Sequence, residues 1–241
     1  MSKRDDLRRV RSGTVINVSS KKMESELVVA LTAATGLLSE KYDVNFEHQQ
    51  NLPLGEIAAK IKLVDPSAST EVHFETSFLK PDGGILYMVD NAGVKYPIIV
   101  SEAKRQGTND LLEAEGKKKQ AKGNAIERLG KNVIGFRSWF SGEDIFPFVV
   151  FGEGVDFASD SSILDRVSTI AQFAPLNRIE VIKEKNSSLQ PRGCFYFREE
   201  KWSPTEMQDV LFEIGSLSIE YYFKRKGENT FRPLPTAVTS D

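Results

Sequence analysis

Tyr96-Pro97-Ile98-Ile99-Val100-Ser101-Glu102-Ala103-Lys104 opens as a nearly continuous apolar run and closes on two opposite charges. Residues 96–100 carry the pattern of a β-strand covered on both faces. Alternate residues of a strand share a face, so Glu102 and Lys104 point one way and Ala103 the other. Upstream, Lys80-Pro81-Asp82-Gly83-Gly84 is turn chemistry between a strand-like stretch, residues 71–79, and a short strand, residues 85–89. Asp90-Asn91-Ala92-Gly93 then reads as a loop into the apolar strand. Asp82 and Glu102 lie 20 residues apart. That is the length a short strand, a loop and a returning strand need, so the two carboxylates can meet at a hairpin-like site.

Outward from this meander, helices and strands alternate. Leu27, Val28, Leu31, Ala34, Leu37 and Leu38 recur at three and four positions, which predicts a helix from about Ser25 to about Tyr42. A second helix is expected over residues 54–63, ended by Asp65-Pro66. Further helices are expected over residues 124–140 and 162–173, and strands over 146–151, 178–182 and 194–197. Ser203 as cap and Pro204 as an early helical residue start a last helix, which runs to about Phe223. Residues 1–12 read as a flexible basic arm and residues 227–241 as a flexible tail. No linker divides residues 1–241, so one α/β domain around a mixed sheet is expected.

With 241 residues and 40% hydrophobic composition, the chain can bury a core without disulfides or metal. Its 32 basic and 34 acidic residues give a formal charge of −2, so any nucleic-acid surface must be local. Cys194 is the single cysteine, which excludes an intramolecular disulfide framework and suits a reducing compartment. Residues 1–11 have no apolar core of a secretion signal, and no run approaches the ~18–20 apolar residues of a membrane span. A cytoplasmic protein is the expectation. His48, His73 and Cys194 show neither zinc spacing nor a Cys-His nucleophile pair. Ser101-Glu102-Ala103-Lys104 fits the Ser-x-x-Lys pattern of serine acylases, but that chemistry needs the serine at a helix start and Ser101 follows a strand. No phosphate-binding glycine loop occurs.

Two carboxylates on neighbouring elements can share a hard divalent ion such as Mg²⁺, which also binds phosphate oxygens. An amine beside them can stabilise charge in the transition state or orient water. Metal-assisted phosphodiester hydrolysis follows from that trio. Alone, a Glu-x-Lys pair on a strand is ordinarily a solvated ion pair. Here Gly83 and Gly84 permit close backbone approach beside Asp82, and Glu102 ends a buried strand. Local charge agrees: residues 104–137 hold nine cations, including Lys117, Lys118, Lys119, Lys122 and Lys131, and four anions. Basic residues at phosphates release counterions.

These residues resemble the EcoRI-type restriction endonucleases, within the wider PD-(D/E)xK nuclease group. Lys80-Pro81-Asp82-Gly83-Gly84 and Glu102-Ala103-Lys104 look like the catalytic motif. Gly123-Asn124-Ala125-Ile126-Glu127-Arg128, followed by Lys131-Asn132, resembles the recognition segment. Phe146-Pro147-Phe148-Val149-Val150-Phe151, with Glu153-Gly154 and Phe157, looks like the strand that comes next. The resemblance implies an α/β fold with a central mixed five-stranded sheet flanked by helices. It implies that Asp82, Glu102 and Lys104 are catalytic, with Asp82, Glu102 and Ala103 at the Mg²⁺ ion. It also implies that Asn124, Ala125, Glu127 and Arg128 face base edges in the major groove, consistent with the bonding these residue types offer there. Arg166 matches an arginine of the family's later recognition segment, whereas the second arginine of that segment is replaced by Thr169. An inner AATT is therefore the better supported part of a GAATTC-like site. Lys117, Lys118, Lys119 and Lys122 correspond to an arm that wraps DNA.

The resulting expectation is a Mg²⁺-dependent, homodimeric type II restriction endonuclease that cuts both strands of double-stranded DNA at a palindrome and leaves 5′-phosphate ends. A two-fold dimer matches a palindrome. A cognate DNA methyltransferase is expected to protect host DNA without being a bound subunit. Two alternatives stay open: a repair or structure-specific nuclease of the same group, and a DNA-binding protein that has lost catalysis.

Overall fold

The computed structural model describes residues 15–106, 124–159, 161–185 and 187–232. The expected basic arm, Lys117, Lys118, Lys119, Lys122 and residues 233–241 lie outside them. Strand β5, Lys95–Arg105, is the apolar run of the sequence extended through its charged end. It is the middle strand of a five-stranded sheet. On one side it pairs antiparallel with β4 (Gly84–Val89), which pairs antiparallel with β1 (Asn45–Gln49). On the other side β6 (Phe148–Glu153) and β7 (Cys194–Arg198) run parallel to it and to one another. The sheet is mixed and five-stranded, as expected. Pro97 lacks an N–H, and the β4–β5 register shifts between Leu86 and Tyr87, where Tyr87 meets Pro97. A proline inside a sheet belongs at such an irregularity.

Helices cover both faces. Helix α1 (Val15–Tyr42) and helix α5 (Pro204–Lys226) pack on each other and on β5. Gly215 makes this closeness possible, because a Cβ there would lie 2.6 Å from Leu38 and 3.3 Å from Ile99. Helix α2 (Leu54–Val64) packs against α3 (Asn124–Trp139) on the other face. There the Phe136 ring lies 5.8 Å from Phe148, and the Trp139 ring 6.0 Å from Tyr87. Helix α4 (Ile163–Ile170) flanks α3. The half-buried Arg137 guanidinium joins these segments by donating to the Ile170 and Arg192 carbonyls at 3.1 and 2.9 Å. Among the described residues no helix is long and apolar enough to cross a membrane.

Four expectations about elements are corrected. Of residues 71–79 only Phe78–Leu79, strand β3, is extended and paired, with β2 (Leu52–Pro53). Glu71, His73, Phe74, Glu75 and Thr76 are exposed instead, with no neighbouring strand to satisfy their backbone. Residues 178–182 make a single bridge, Ile145 to Ile182, rather than a strand. The first helix begins at Val15, ten residues before the expected start at Ser25. Of the expected tail, residues 228–231 are packed instead: Glu228–Thr230 form a 3-10 turn, and the buried Phe231 ring lies 5.1 Å from Tyr96 and 5.6 Å from Phe223.

The start of α5 follows the sequence closely. Ser203 Oγ accepts from the Glu206 N–H, the Glu206 carboxylate accepts from the Ser203 N–H at 2.9 Å, and Pro204 occupies the first turn. Arg198 clasps Glu206 through two bonds of 2.8 Å. Hydrogen bonds from Arg198 and Ser203 hold the Glu206 carboxyl down at about 2. A depressed carboxylate stabilises the fold above its ordinary value of 4.5, and that contribution fades as pH falls toward about 2. Ser203→Ala should lower unfolding free energy by about 1 kcal/mol in urea titrations at pH 7. Glu206→Gln should also lower it at pH 7, and flatten its decline between about pH 5 and 2 relative to the parent chain.

Candidate active site

Asp82 sits in the turn before β4, and Glu102 and Lys104 sit at the end of β5. The antiparallel β4–β5 pairing sets Gly84 opposite Ser101 and so brings the turn to the strand end. Gly83 N–H donates to the Ser101 carbonyl at 2.9 Å and Gly84 N–H to the Pro81 carbonyl at 3.1 Å, which fixes the turn. Gly84 has a φ of 86°, and the His48 ring donates to the Gly83 carbonyl at 2.9 Å. At Gly83 a Cβ would come within 2.2 Å of Ser101 Oγ. The turn therefore approaches β5 as closely as glycine alone allows.

This seating joins the three ionisable groups. Lys104 Nζ donates to Asp82 Oδ2 at 2.9 Å, to Glu102 Oε1 at 2.5 Å and to the Ala103 carbonyl at 2.8 Å. Asp82 N–H donates to Glu102 Oε2 at 3.1 Å, and Ala103 N–H to Asp82 Oδ2 at 3.2 Å. Glu102 is only 1% exposed. Burial raises the Glu102 carboxyl above its ordinary range, with Lys104 opposing and Asp82 reinforcing the rise. For Lys104, burial favours the neutral amine, but the two carboxylates outweigh it and the ammonium is held above its ordinary value. One positive nitrogen thus touches three oxygens, from Asp82, Glu102 and Ala103. An all-oxygen set of two carboxylates and a carbonyl suits a hard divalent cation such as Mg²⁺. The Lys104 ammonium shows that these oxygens converge on a single positive centre, so the residues present fit the ion.

The trio faces a cleft of about 410 Å³, bordered also by Glu24, Lys80, Arg128, Lys131 and Asn132. Asn132 Nδ2 donates to Glu102 Oε1 at 3.0 Å. Glu24 does not stand out in the sequence as a site residue, and Asn132 appears there only at the end of the recognition-like segment, with no link to Glu102. Asn132 is four residues beyond Arg128, one helical turn along the same face, and that spacing is the signal that would have found it. Glu24 lies within an ordinary amphipathic helix and carries no such signal. Its carboxyl is raised by burial and then by Asp82.

Helix α3 separates the residues expected to read bases. Arg128 borders the cleft of Asp82, Glu102 and Lys104, whereas Glu127 shares with Arg166 and Thr169 a second, mostly apolar groove between α3 and α4. Asn124 and Ala125 begin α3, and their side chains lie outside what the structure describes. Ser101 is buried with its hydroxyl against Gly83 rather than at Lys104, which disposes of the acylase pattern.

A mixed five-stranded sheet flanked by helices, with two carboxylates and an amine gathered at the end of its middle strand, defines the α/β restriction-endonuclease class. Comparison with known sequences agrees. The family described as Restriction endonuclease EcoRI matches residues 11–227. The chain is 33% identical over 220 residues to the type II restriction enzyme RsrI of Cereibacter sphaeroides, covering 86% of this chain and 78% of that protein. It is 28% identical over 218 residues to the type II restriction enzyme EcoRI of Escherichia coli, covering 76% and 79% respectively. The chain belongs to the EcoRI restriction endonuclease family. It is a type II restriction enzyme, a site-specific deoxyribonuclease.

Crowding at Gly83 yields a stability test. Gly83→Ala should destabilise the fold by about 1–3 kcal/mol through overpacking. Adding Ser101→Ala, which removes a hydroxyl that has no hydrogen-bond partner among the described residues, should recover part of that loss in urea unfolding.

Proposed function

We propose that this enzyme is a Mg²⁺-dependent homodimer that hydrolyses both strands of a palindrome containing AATT, GAATTC or a relative, and leaves 5′-phosphate ends. The observation that carries this reading is the contact of Lys104 Nζ with Asp82, Glu102 and the Ala103 carbonyl at the floor of a cleft with a basic rim. Asp82, Glu102 and the Ala103 carbonyl would hold the ion. When bound, Mg²⁺ offsets charge developing at phosphorus and lowers the pKa of water.

The remaining work falls to the chain's own groups. Lys104, held charged by its two carboxylates, keeps a preorganised ammonium where negative charge grows on the phosphate. Lys80, Arg128 and Lys131 bring further positive charge to the rim, which suits the DNA backbone. Water oxygen bonds to phosphorus as the P–O3′ bond breaks, and the leaving oxygen takes a proton to become the 3′-hydroxyl. Asn124, Ala125, Glu127 and Arg128 at the start of α3, with Arg166 on α4, would meet base edges. Lys117, Lys118, Lys119 and Lys122 would meet backbone phosphates. The homodimer is supported by the outer side of α3, where Ile134 is 67% exposed beside Gly130 and Ile170 in an apolar groove. A second copy there would cover that groove and bring a second active site to the opposite strand.

Plasmid digestion with and without Mg²⁺, followed by sequencing of the ends, tests this directly. Discrete Mg²⁺-dependent cuts at one palindrome are expected. Scattered or junction-directed cuts would instead mark a nuclease without an AATT preference, and gel shifts without cleavage a DNA binder. Glu102→Gln and Lys104→Ala should each slow cleavage by at least about 10²–10³-fold, while specific binding in Ca²⁺ persists. Glu127→Gln and Arg128→Lys should reduce discrimination between cognate and near-cognate sites by roughly 1–3 kcal/mol, measured by competition binding.

A further inference from the structure

Glu102 is held from two directions. Asp82 N–H and Lys104 Nζ, contributed by the turn and by β5 itself, bind one carboxylate oxygen each. Among the described residues the third hydrogen bond comes from across the cleft, from Asn132 on α3. An ionised carboxylate only accepts, so the NH₂ end of the Asn132 amide must face it. Three of about four acceptor directions of Glu102 are then used, which leaves little freedom for its orientation.

Asn132 also lies on the same helical face as Arg128 and one residue after Lys131, all three bordering the cleft. Helix α3 is anchored at several points along its length. Leu129, Val133 and Phe136 are buried, and Arg137 ties it to the end of α4. A helix so packed moves as a unit, so wherever its N-terminal end seats, the Asn132 amide follows. The hydrogen bond from the Asn132 amide is the direct link between that helix and the buried carboxylate.

We infer that Asn132 is a positioning residue that ties the orientation of Glu102, and with it the cation site, to the seating of α3 on DNA. This rests on the reading of Glu102 as a cation-holding carboxylate. Asn132 touches no reacting atom in this scheme. Its loss acts through Glu102, where a misplacement of about 1 Å is enough to slow chemistry by about 10²-fold.

Two substitutions test it. Asn132→Ala removes the donor with a residue that favours helix. Asn132→Asp keeps the shape but sets a carboxylate against Glu102. DNA affinity is measured for each, with the parent, in EDTA and in Ca²⁺, alongside Mg²⁺-dependent cleavage and thermal unfolding. For Asn132→Ala the expected result is unchanged affinity in EDTA, loss of the gain in affinity that Ca²⁺ gives the parent, and cleavage slower by about 10²-fold. Asn132→Asp should lose at least as much cleavage and should not regain the Ca²⁺ response.

Variants that respond to Ca²⁺ like the parent overturn the coupling, and so does an equal loss of affinity in EDTA with lowered thermal stability, which marks a merely structural role. A parent chain whose affinity ignores Ca²⁺ and whose cleavage ignores Mg²⁺ overturns the cation reading itself, and the Asn132 inference with it.

Discussion

A carboxylate buried to 1% exposure at the end of a β-strand has to be balanced by neighbouring charge and hydrogen bonds. Glu102 is that group, and the local structure is arranged around it. Lys104 supplies the charge, Asp82 N–H and Asn132 the remaining bonds, and Asp82 in turn shares the ammonium. Burial raises the proton affinity of Glu102 while the two carboxylates keep Lys104 charged. A site with two acidic groups around one positive nitrogen is poised for a stronger cation, since added positive charge favours the ionised form of both acids.

The fold supplies this arrangement through the change of partners along β5. Its antiparallel neighbour delivers a tight turn and Asp82 to one side of the strand end. Its parallel neighbour β6 requires a crossover, and that crossover contains α3, which delivers Asn132 and Arg128 to the other side. Helices α1 and α5 on the opposite face make β5 a buried strand and hold its end in place. The Asp82–Glu102–Lys104 cluster and helix α3 meet because one central strand has an antiparallel edge and a parallel edge.

The central parts were legible because their chemistry is local. The apolar run before Glu102, the glycines after Asp82 and the Ser203-Pro204 helix start each declare themselves within a few residues. The α/β class, the mixed sheet and the close approach of Asp82, Glu102 and Lys104 follow from them, whereas the count of five strands comes from the family resemblance. Features that depend on tertiary partners were not legible. Strand β1, Asn45-Phe46-Glu47-His48-Gln49, is a largely exposed edge whose polar residues carry no strand pattern, and it forms by pairing with β4. Residues 71–79 have strand-like composition but largely lack a neighbour, and residues 178–182 find only one bridge. Phe231 stays ordered past Gly227 because Tyr96 and Phe223 receive its ring. Asn132 falls in the recognition-like segment of the sequence, but its bond to Glu102 could be recognised only once α3 was seen to cross the end of β5.

The most direct measurement is an anomalous-scattering map from crystals of the full chain grown with Mn²⁺ and an AATT-containing duplex that resists cleavage. The account predicts one strong peak per protomer within about 2.0–2.4 Å of oxygens from both Asp82 and Glu102, beside the scissile phosphate. A metal bound elsewhere, or Asp82 and Glu102 too far apart to share one, would contradict it.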